Sequence, residues 1–194
     1  PMLISRSGAL SGSPHVAYTN QPHREFLYRQ AFEMGRHPIG YEVQKILAAV
    51  DLFSQWAQRR GMPLPIGVAG VGEGALLALY AGALDPRIEA TLVCGYFQPR
   101  EGVWQEPIYR NVWGLLREFG DAEIAGMIAP RRLVIEACAV PQVAGPPASR
   151  PGRRASAAPG EVGPIAVARV RSEFDRAQVI YKRCTAESEL RLVI

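Results

Sequence analysis

Cysteine is scarce in this sequence, which limits the metal and disulfide chemistry that the chain can support. Three cysteines, Cys94, Cys138 and Cys184, are spread over 194 residues with no Cys-x-x-Cys pair and no clustered histidines. This pattern argues against a zinc site and against a disulfide framework. We interpret Cys94 and Cys138 as buried, unreactive thiols, a common state of free cysteine. No metal or other cofactor is predicted.

Long hydrophobic runs are also missing. No apolar stretch reaches the roughly 18 residues that a bilayer span requires, so no membrane segment is predicted. The N-terminal residues lack the basic region, apolar stretch and cleavage site of a signal peptide, and they do not indicate a compartment. A chain that opens on Pro1 followed by strand-like residues is instead typical of an internal piece of a longer protein.

The net charge of +4 is unevenly distributed. Residues 1–149 carry 13 basic and 13 acidic side chains, whereas residues 150–194 carry nine basic and five acidic ones. The basic cluster of Arg150, Arg153 and Arg154 lies in a Pro-, Gly-, Ala- and Ser-rich stretch, which favours a solvated linker. Nucleic-acid binding is not predicted, because it requires a basic face on a folded element with aromatic side chains for stacking.

The hydrophobic pattern predicts an α/β fold with a mostly parallel sheet flanked by helices. Nearly continuous apolar runs alternate with helical periodicity, as expected for strands buried on both faces. We predict strands at 2–5, 65–70, 88–97, 132–140 and 190–194, and helices at 25–34, 38–60, 74–84, 106–126 (broken) and 166–182. The predicted organisation is a core at 1–140, a linker at 141–165 and a C-terminal helix and strand-like segment at 166–194.

The stretch "IGVAGVGEGALLALYAGAL" (66–84) reads as a strand, a glycine turn and a helix. Gly70, Gly72 and Ala75 satisfy the dinucleotide fingerprint G-x-G-x-x-[GA], although the acidic residue expected at the far end of the next strand is missing. Glu89 lies at the near end of that strand. A P-loop is excluded, because no Gly-Lys-Ser/Thr follows the glycines.

The same stretch also fits the nucleophile elbow of α/β hydrolases, where a sharp turn needs glycines two residues before and after the nucleophile. Gly70 and Gly74 meet this requirement around Gly72. Such a turn aims the N–H groups of a helix N-terminus at a developing oxyanion. Glycine at position 72 supplies neither hydroxyl nor thiol.

Several further stretches resemble the acetylxylan-esterase-like and dienelactone-hydrolase-like branch of the α/β hydrolases. They are "GRHPIGYEVQKILAAVDLF", "IGVAGVGEGALLALYAGALDPRIEATLVCGYF" and "IAPRRLVIEAC", which follow one another in the family's order. The resemblance covers about residues 2–140. It implies an ester-hydrolase fold that begins at the fourth strand, as an excerpt of a longer chain would.

Carried over residue by residue, the resemblance leaves the catalytic positions empty. The nucleophile position matches Gly72, and the oxyanion-hole position after it matches Glu73, whose carboxylate would oppose an oxyanion. The catalytic acid should follow "LVIEA", where residues 138–142 contain no Asp or Glu, and Glu136 lies within the strand itself. All histidines, at positions 15, 23 and 37, precede the turn, whereas the family's catalytic histidine follows the last strand.

The remaining candidates are weaker. Cys94 is a conceivable displaced nucleophile, but a packed thiol is the more common role. His23, Arg24, Tyr96 and Trp104 are a candidate pocket for a small-molecule or carbohydrate ester, against the alternatives of helix caps and packing. The sequence therefore predicts a hydrolase-like scaffold whose nucleophile is lost. A noncatalytic structural or binding module and a dinucleotide-binding domain remain as alternatives, and the oligomeric state is not indicated.

Overall fold

The computed structural model of the chain describes residues 2–8, 14–15, 19–146 and 156–194. Arg150, Arg153 and Arg154, the predicted basic cluster, and part of the predicted linker lie outside the described residues. Two helices are followed by strands and helices that alternate. In chain order they are α1 (His23–Glu33), α2 (Pro38–Arg59), β1 (Ile66–Val71), α3 (Glu73–Leu84), β2 (Ile88–Cys94), α4 (Asp121–Gly126), β3 (Arg132–Glu136), α5 (Val167–Arg183) and β4 (Leu190–Val193).

The four strands form one parallel sheet in the order β1-β2-β3-β4, which confirms the predicted α/β class. Each connection leads to the next strand in the same direction, and right-handed crossovers then place α3, α4 and α5 on one face of the sheet. The register fits this arrangement, because Gly82 of α3 packs against Thr91, whose side chain shares a face with Leu133 and Ile135. We call this side of the sheet the helix face and the other side the open face.

The core lies on the helix face. Leu133 and Ile135 of β3 point to this face and are buried, and α3, which contacts β1 and β2, buries Leu76, Leu77 and Leu79. The open face is less covered, since Val71 of β1 is 57% exposed and Val193 of β4 is 48% exposed. Parallel sheets are normally covered on both faces, so this asymmetry is unusual.

The chain divides into two compact units, which are described separately. Unit 1 comprises residues 1–41, 101–113 and 142–163, and unit 2 comprises residues 42–100, 114–141 and 164–194 with the whole sheet. In unit 1 the guanidinium of buried Arg24 lies 5.3 Å from the ring centroid of Tyr109. Glu25 of the same unit accepts hydrogen bonds from Arg29 and from the Ala158 N–H.

Three predicted elements differ from the structure. Residues 2–5 do not form a strand. The Ser5 carbonyl and, beyond it, the Ser7 carbonyl accept hydrogen bonds from the Arg24 and His23 N–H groups at the start of α1. The predicted broken helix at 106–126 is instead a series of short 3-10 turns followed by α4. Pro107 and Gly114, which has a left-handed φ of 79°, interrupt helical continuation.

Helix α2 also departs from its prediction. It buries Ile39, Val43 and Val50 as the periodicity indicates, but Phe53 and Trp56 nearer its C-terminal end are exposed. The indole of Trp56 lies 4.5 Å from the guanidinium of Arg60, a cation–π contact that covers only one face of the ring. No described helix is long and apolar enough to span a bilayer.

Candidate functional site

The chain bends sharply between β1 and α3, at Gly72. This residue has φ 57° and ψ −114°, a backbone conformation that L-residues rarely adopt. Its N–H donates to the Cys94 carbonyl over 2.9 Å, and its own carbonyl accepts from the N–H groups of Ala75 and Leu76 at the start of α3. The bend is therefore anchored to β2 on one side and to the helix on the other.

Gly70 and Gly74 flank the bend but have different surroundings. A Cβ on Gly70 would lie 2.6 Å from the Ala75 nitrogen and still closer to the Gly74 carbonyl, so only glycine fits where the strand approaches the helix. A Cβ on Gly74 would meet nothing within 4 Å. The sequence argument that both positions need glycine for close packing is correct at Gly70 and wrong at Gly74, because the approach is to the Gly74 backbone rather than to its side-chain position.

Glu73, the first residue of α3, is buried at 6% exposure. A carboxylate at this position interacts favourably with the partial positive charge of the helix N-terminus. In a hydrolase, the N–H groups at this helix N-terminus stabilise an oxyanion. A negative charge on Glu73 would oppose that stabilisation.

Val140 covers the bend, a contact that the sequence analysis did not anticipate. A Cβ on Gly72 would lie 3.6 Å from the Val140 Cβ, and a Cβ on Gly95, at the end of β2, would collide with the Val140 Cγ1. Val140 follows β3 in the segment where the family resemblance expects the catalytic acid. The place of Val140 after β3 is the sequence signal from which this contact could have been predicted. An apolar side chain therefore lies beside the bend.

Cys94 ends β2 next to the bend, and its thiol donates to the Glu136 carboxylate over 3.0 Å. Burial, and secondarily the hydrogen bond and negative charge of Glu136, raises the pKa of the Cys94 thiol to about 12. Burial also raises the pKa of Cys138. Because only the thiolate is a strong nucleophile, Cys94 is protonated and poorly reactive at neutral pH.

The histidines and most of the candidate pocket lie in unit 1, whereas the Gly72 bend lies in unit 2, which contains no histidine. The Nδ1 of His37 accepts a hydrogen bond from the Ile39 N–H, and its Nε2 bonds to the Asn111 carbonyl. The ring therefore satisfies a backbone group at the start of α2. His23 is half-buried and its backbone N–H donates to Ser7.

The other proposed pocket residues divide by exposure. Arg24 is fully buried, and Tyr96 of unit 2 is 2% exposed with the Arg100 guanidinium 4.8 Å from its ring centroid. Trp104 of unit 1 is 74% exposed, and Trp113, in the same unit, is 83% exposed. The two indoles offer accessible aromatic faces, whereas Arg24 and Tyr96 are packed. A single pocket that joins these residues remains a prediction.

Elsewhere in unit 2, a cleft of about 420 Å³ opens between α5 and β4. It is lined by Arg171, Phe174, Asp175, Leu192 and Ile194. None of these residues belongs to the Gly72 bend. Among the residues that the structure describes, no group of three or more His, Cys, Asp or Glu side chains is placed to hold a metal ion.

Comparison with known proteins relates the chain to esterases by fold alone. No protein-family model and no curated protein matches the sequence. Among solved structures, a Bacteroides fragilis NCTC 9343 protein assigned as an acetyl xylan esterase superposes with a TM-score of 0.57 at 14% identity, covering 91% of this chain and 40% of its own. A carbohydrate esterase family 15 glucuronoyl esterase from Caldicellulosiruptor kristjansonii has a TM-score of 0.37 at 15% identity, covering 64% of this chain and 36% of its own. The chain thus spans less than half of these structures and has an esterase-like α/β fold.

Proposed function

We propose that this chain is an ester-hydrolase-like scaffold without serine-hydrolase activity of its own. The observation that carries the proposal is the Gly72 bend. It has a conformation that favours glycine, joins a parallel strand to a helix N-terminus, and carries no reactive side-chain atom.

The surroundings of the bend support the same conclusion. Val140 would be in van der Waals contact with a Cβ on residue 72, and Glu73 places a negative charge at the helix N-terminus. The nearest thiol, Cys94, is held protonated by burial, and unit 2 offers no histidine as a general base. Within unit 2, a nucleophile and a histidine base are missing and oxyanion stabilisation is opposed, and these groups act as a unit in catalysis.

The ligand class that we propose is a carbohydrate ester, bound without being cleaved. The exposed indoles of Trp104 and Trp113 support it, because a flat aromatic surface packs against the apolar face of a sugar ring. The assignment of the Bacteroides fragilis structure as an acetyl xylan esterase is consistent with this class.

The test is hydrolysis of p-nitrophenyl acetate and labelling by a fluorophosphonate probe, each compared with heat-denatured protein. We expect no hydrolysis above background and no labelled residue. The Gly72→Ser variant should also remain inactive, because a hydroxyl alone does not replace the base and the acid. Stoichiometric labelling of any residue in the unmodified chain would overturn the proposal. Binding is measured in the same preparation as quenching of tryptophan fluorescence by acetylated xylo-oligosaccharides.

A further inference from the structure

Helix α2 is capped at its start by the side chain of a histidine. The His37 carbonyl accepts the first hydrogen bond of the helix, from the Tyr41 N–H, and Pro38 occupies the first helical position, where an N–H is not needed. The Nδ1 of the His37 ring accepts from the Ile39 N–H over 3.1 Å. The usual acceptor at such a cap is an oxygen of Ser, Thr, Asp or Asn. Here the acceptor is a nitrogen that binds a proton near neutral pH.

The other ring nitrogen of His37 bonds to a loop of the same unit. Its Nε2 lies 3.3 Å from the Asn111 carbonyl oxygen. A backbone N–H can only donate and a carbonyl can only accept, so the two partners require one neutral tautomer, with the proton on Nε2 and none on Nδ1. Asn111 lies in residues 101–113 of unit 1, which we call the tryptophan segment because it carries the exposed indoles of Trp104 and Trp113. One neutral ring therefore joins the start of α2 to this segment.

We infer that His37 is a proton-sensitive switch, which holds the start of α2 and the tryptophan segment together while its ring is neutral and releases both when the ring is protonated. A proton on Nδ1 converts this atom from an acceptor into a donor, which then faces another donor, the Ile39 N–H. The resulting cation also lies at a helix N-terminus, where the helix dipole disfavours positive charge. The ring is half-buried, so it can turn toward solvent, and its bond to Asn111 is then broken as well.

The groups around the ring do not share this response to pH. On α1, the Tyr28 ring contacts the imidazole edge-on at 5.2 Å, and burial raises the pKa of Tyr28, so this phenol stays neutral. Before Asn111, the tryptophan segment carries a buried ion pair between Arg110 and Glu106. Arg36 precedes the ring in the chain, and Glu42 follows in the second turn of α2. Side chains of these types ordinarily keep one charge state between pH 5 and pH 8, whereas histidine does not.

The sign of the pH effect follows from the number of protons bound. The folded chain takes up a proton at His37 only by losing two hydrogen bonds, whereas the unfolded chain takes it up freely around pH 6.5. The unfolded state therefore binds more protons in this range, and stability falls as the pH is lowered. The contribution of the cap is fully present above about pH 7 and is lost below it. For one proton, the unfolding equilibrium constant rises by at most about tenfold per pH unit.

Urea unfolding of the full chain between about pH 8 and about pH 5 tests the inference. The comparison is His37→Asn, because asparagine keeps an acceptor for the Ile39 N–H and does not titrate. We expect the unfolding constant of the wild type to rise relative to that of His37→Asn as the pH falls, by up to about tenfold per unit. His23→Asn, the same change at the first residue of α1, is the matched control and should keep the wild-type slope. A constant ratio between wild type and His37→Asn would overturn the inference.

Nuclear magnetic resonance of the wild-type chain tests the geometry without a variant. At about pH 8 the ring 15N shifts should place the proton of His37 on Nε2. When the ring is protonated, the Ile39 amide should lose protection from hydrogen exchange by about two- to thirtyfold, the range expected for loss of a cap. The carbonyl 13C shift of Asn111 should change with the same midpoint. A proton on Nδ1 at pH 8, or an Ile39 amide and an Asn111 carbonyl that do not respond to protonation of the ring, would contradict the switch.

Discussion

At the scale of single residues, the bend between β1 and α3 depends on two glycines for two different reasons. Gly70 is required by contact, since the backbone at Gly74 and Ala75 occupies the space of its side chain. Gly72 is required by conformation, since its φ of 57° disfavours any residue with a Cβ although space is available beside Val140. Gly74 satisfies neither condition.

We therefore predict that Gly70→Ala destabilises the fold by roughly 3 kcal/mol or more, because the strand and the helix must separate to admit a methyl group. Gly74→Ala is the matched control. It lies in the first turn of α3 with open space around it, and alanine favours a helix by up to about 1 kcal/mol. Urea unfolding of the two variants measures the difference. Equal destabilisation would contradict the contact that we describe at Gly70.

At the scale of elements, Arg131 joins the end of α3 to the start of β2. Its Nη1 donates to the carbonyls of Gly82, Asp85 and Ile88 at 2.7, 3.0 and 2.7 Å. These include carbonyl groups that the last turn of a helix leaves without an intrahelical partner. The side chain of Arg132, the next residue, is exposed and forms an ion pair with Glu189.

Replacement of Arg131 by methionine should cost about 2–3 kcal/mol, because three carbonyl groups lose a charged donor. Arg132→Met should cost less than about 1 kcal/mol, since an exposed ion pair contributes little. The comparison keeps residue type and neighbourhood nearly constant, and thermal unfolding of both variants measures it. A larger loss for Arg132→Met would show that the connection is held by other contacts.

The same scale shows what the sequence could predict. Helices α3 and α5 and strands β1 and β4 lie close to their predicted positions, because apolar periodicity and flanking glycines or prolines define them locally. Strands β2 and β3 begin as predicted but end three and four residues early, since the apolar residues that follow them leave the sheet. Three features depended on distant contacts instead. Ser5 of the predicted strand bonds to the start of α1 instead, Val140 reaches the bend from beyond β3, and Phe53 and Trp56 of α2 are exposed. Hydrophobic patterns report which face of an element is apolar, but not whether a partner covers it.

At the scale of the whole molecule, buried protonated groups set the response to alkaline pH. Burial raises the pKa of Cys94, Cys138, Tyr28 and Tyr181 above their ordinary values. The folded state therefore binds protons more tightly than the unfolded state does between pH 9 and the raised values. Stability is fully present below about pH 9 and is lost as the pH rises.

We predict that the free energy of unfolding falls between pH 9 and pH 10.5, and that it falls less steeply in Cys94→Ala, by up to about 1.4 kcal/mol per pH unit. Cys184→Ala is the control, because its thiol is exposed. At acidic pH the free energy of unfolding instead falls as the pH is lowered. Hydrogen bonds from Arg87 hold the pKa of Asp85 below its ordinary value, so that contribution disappears as the carboxyl becomes protonated. Parallel slopes for wild type and Cys94→Ala would contradict this assignment.

The shape of the Gly72 bend is maintained by groups that take no part in any reaction. The bond from its N–H to Cys94 and the close approach of Gly70 to α3 are backbone features, so they involve no side-chain atom of residue 72. The bend can therefore be retained for the sake of folding, independently of any reaction. A hydroxyl at position 72 would need one substitution on an existing bend, whereas a histidine and a carboxylate would each need a new position in unit 2.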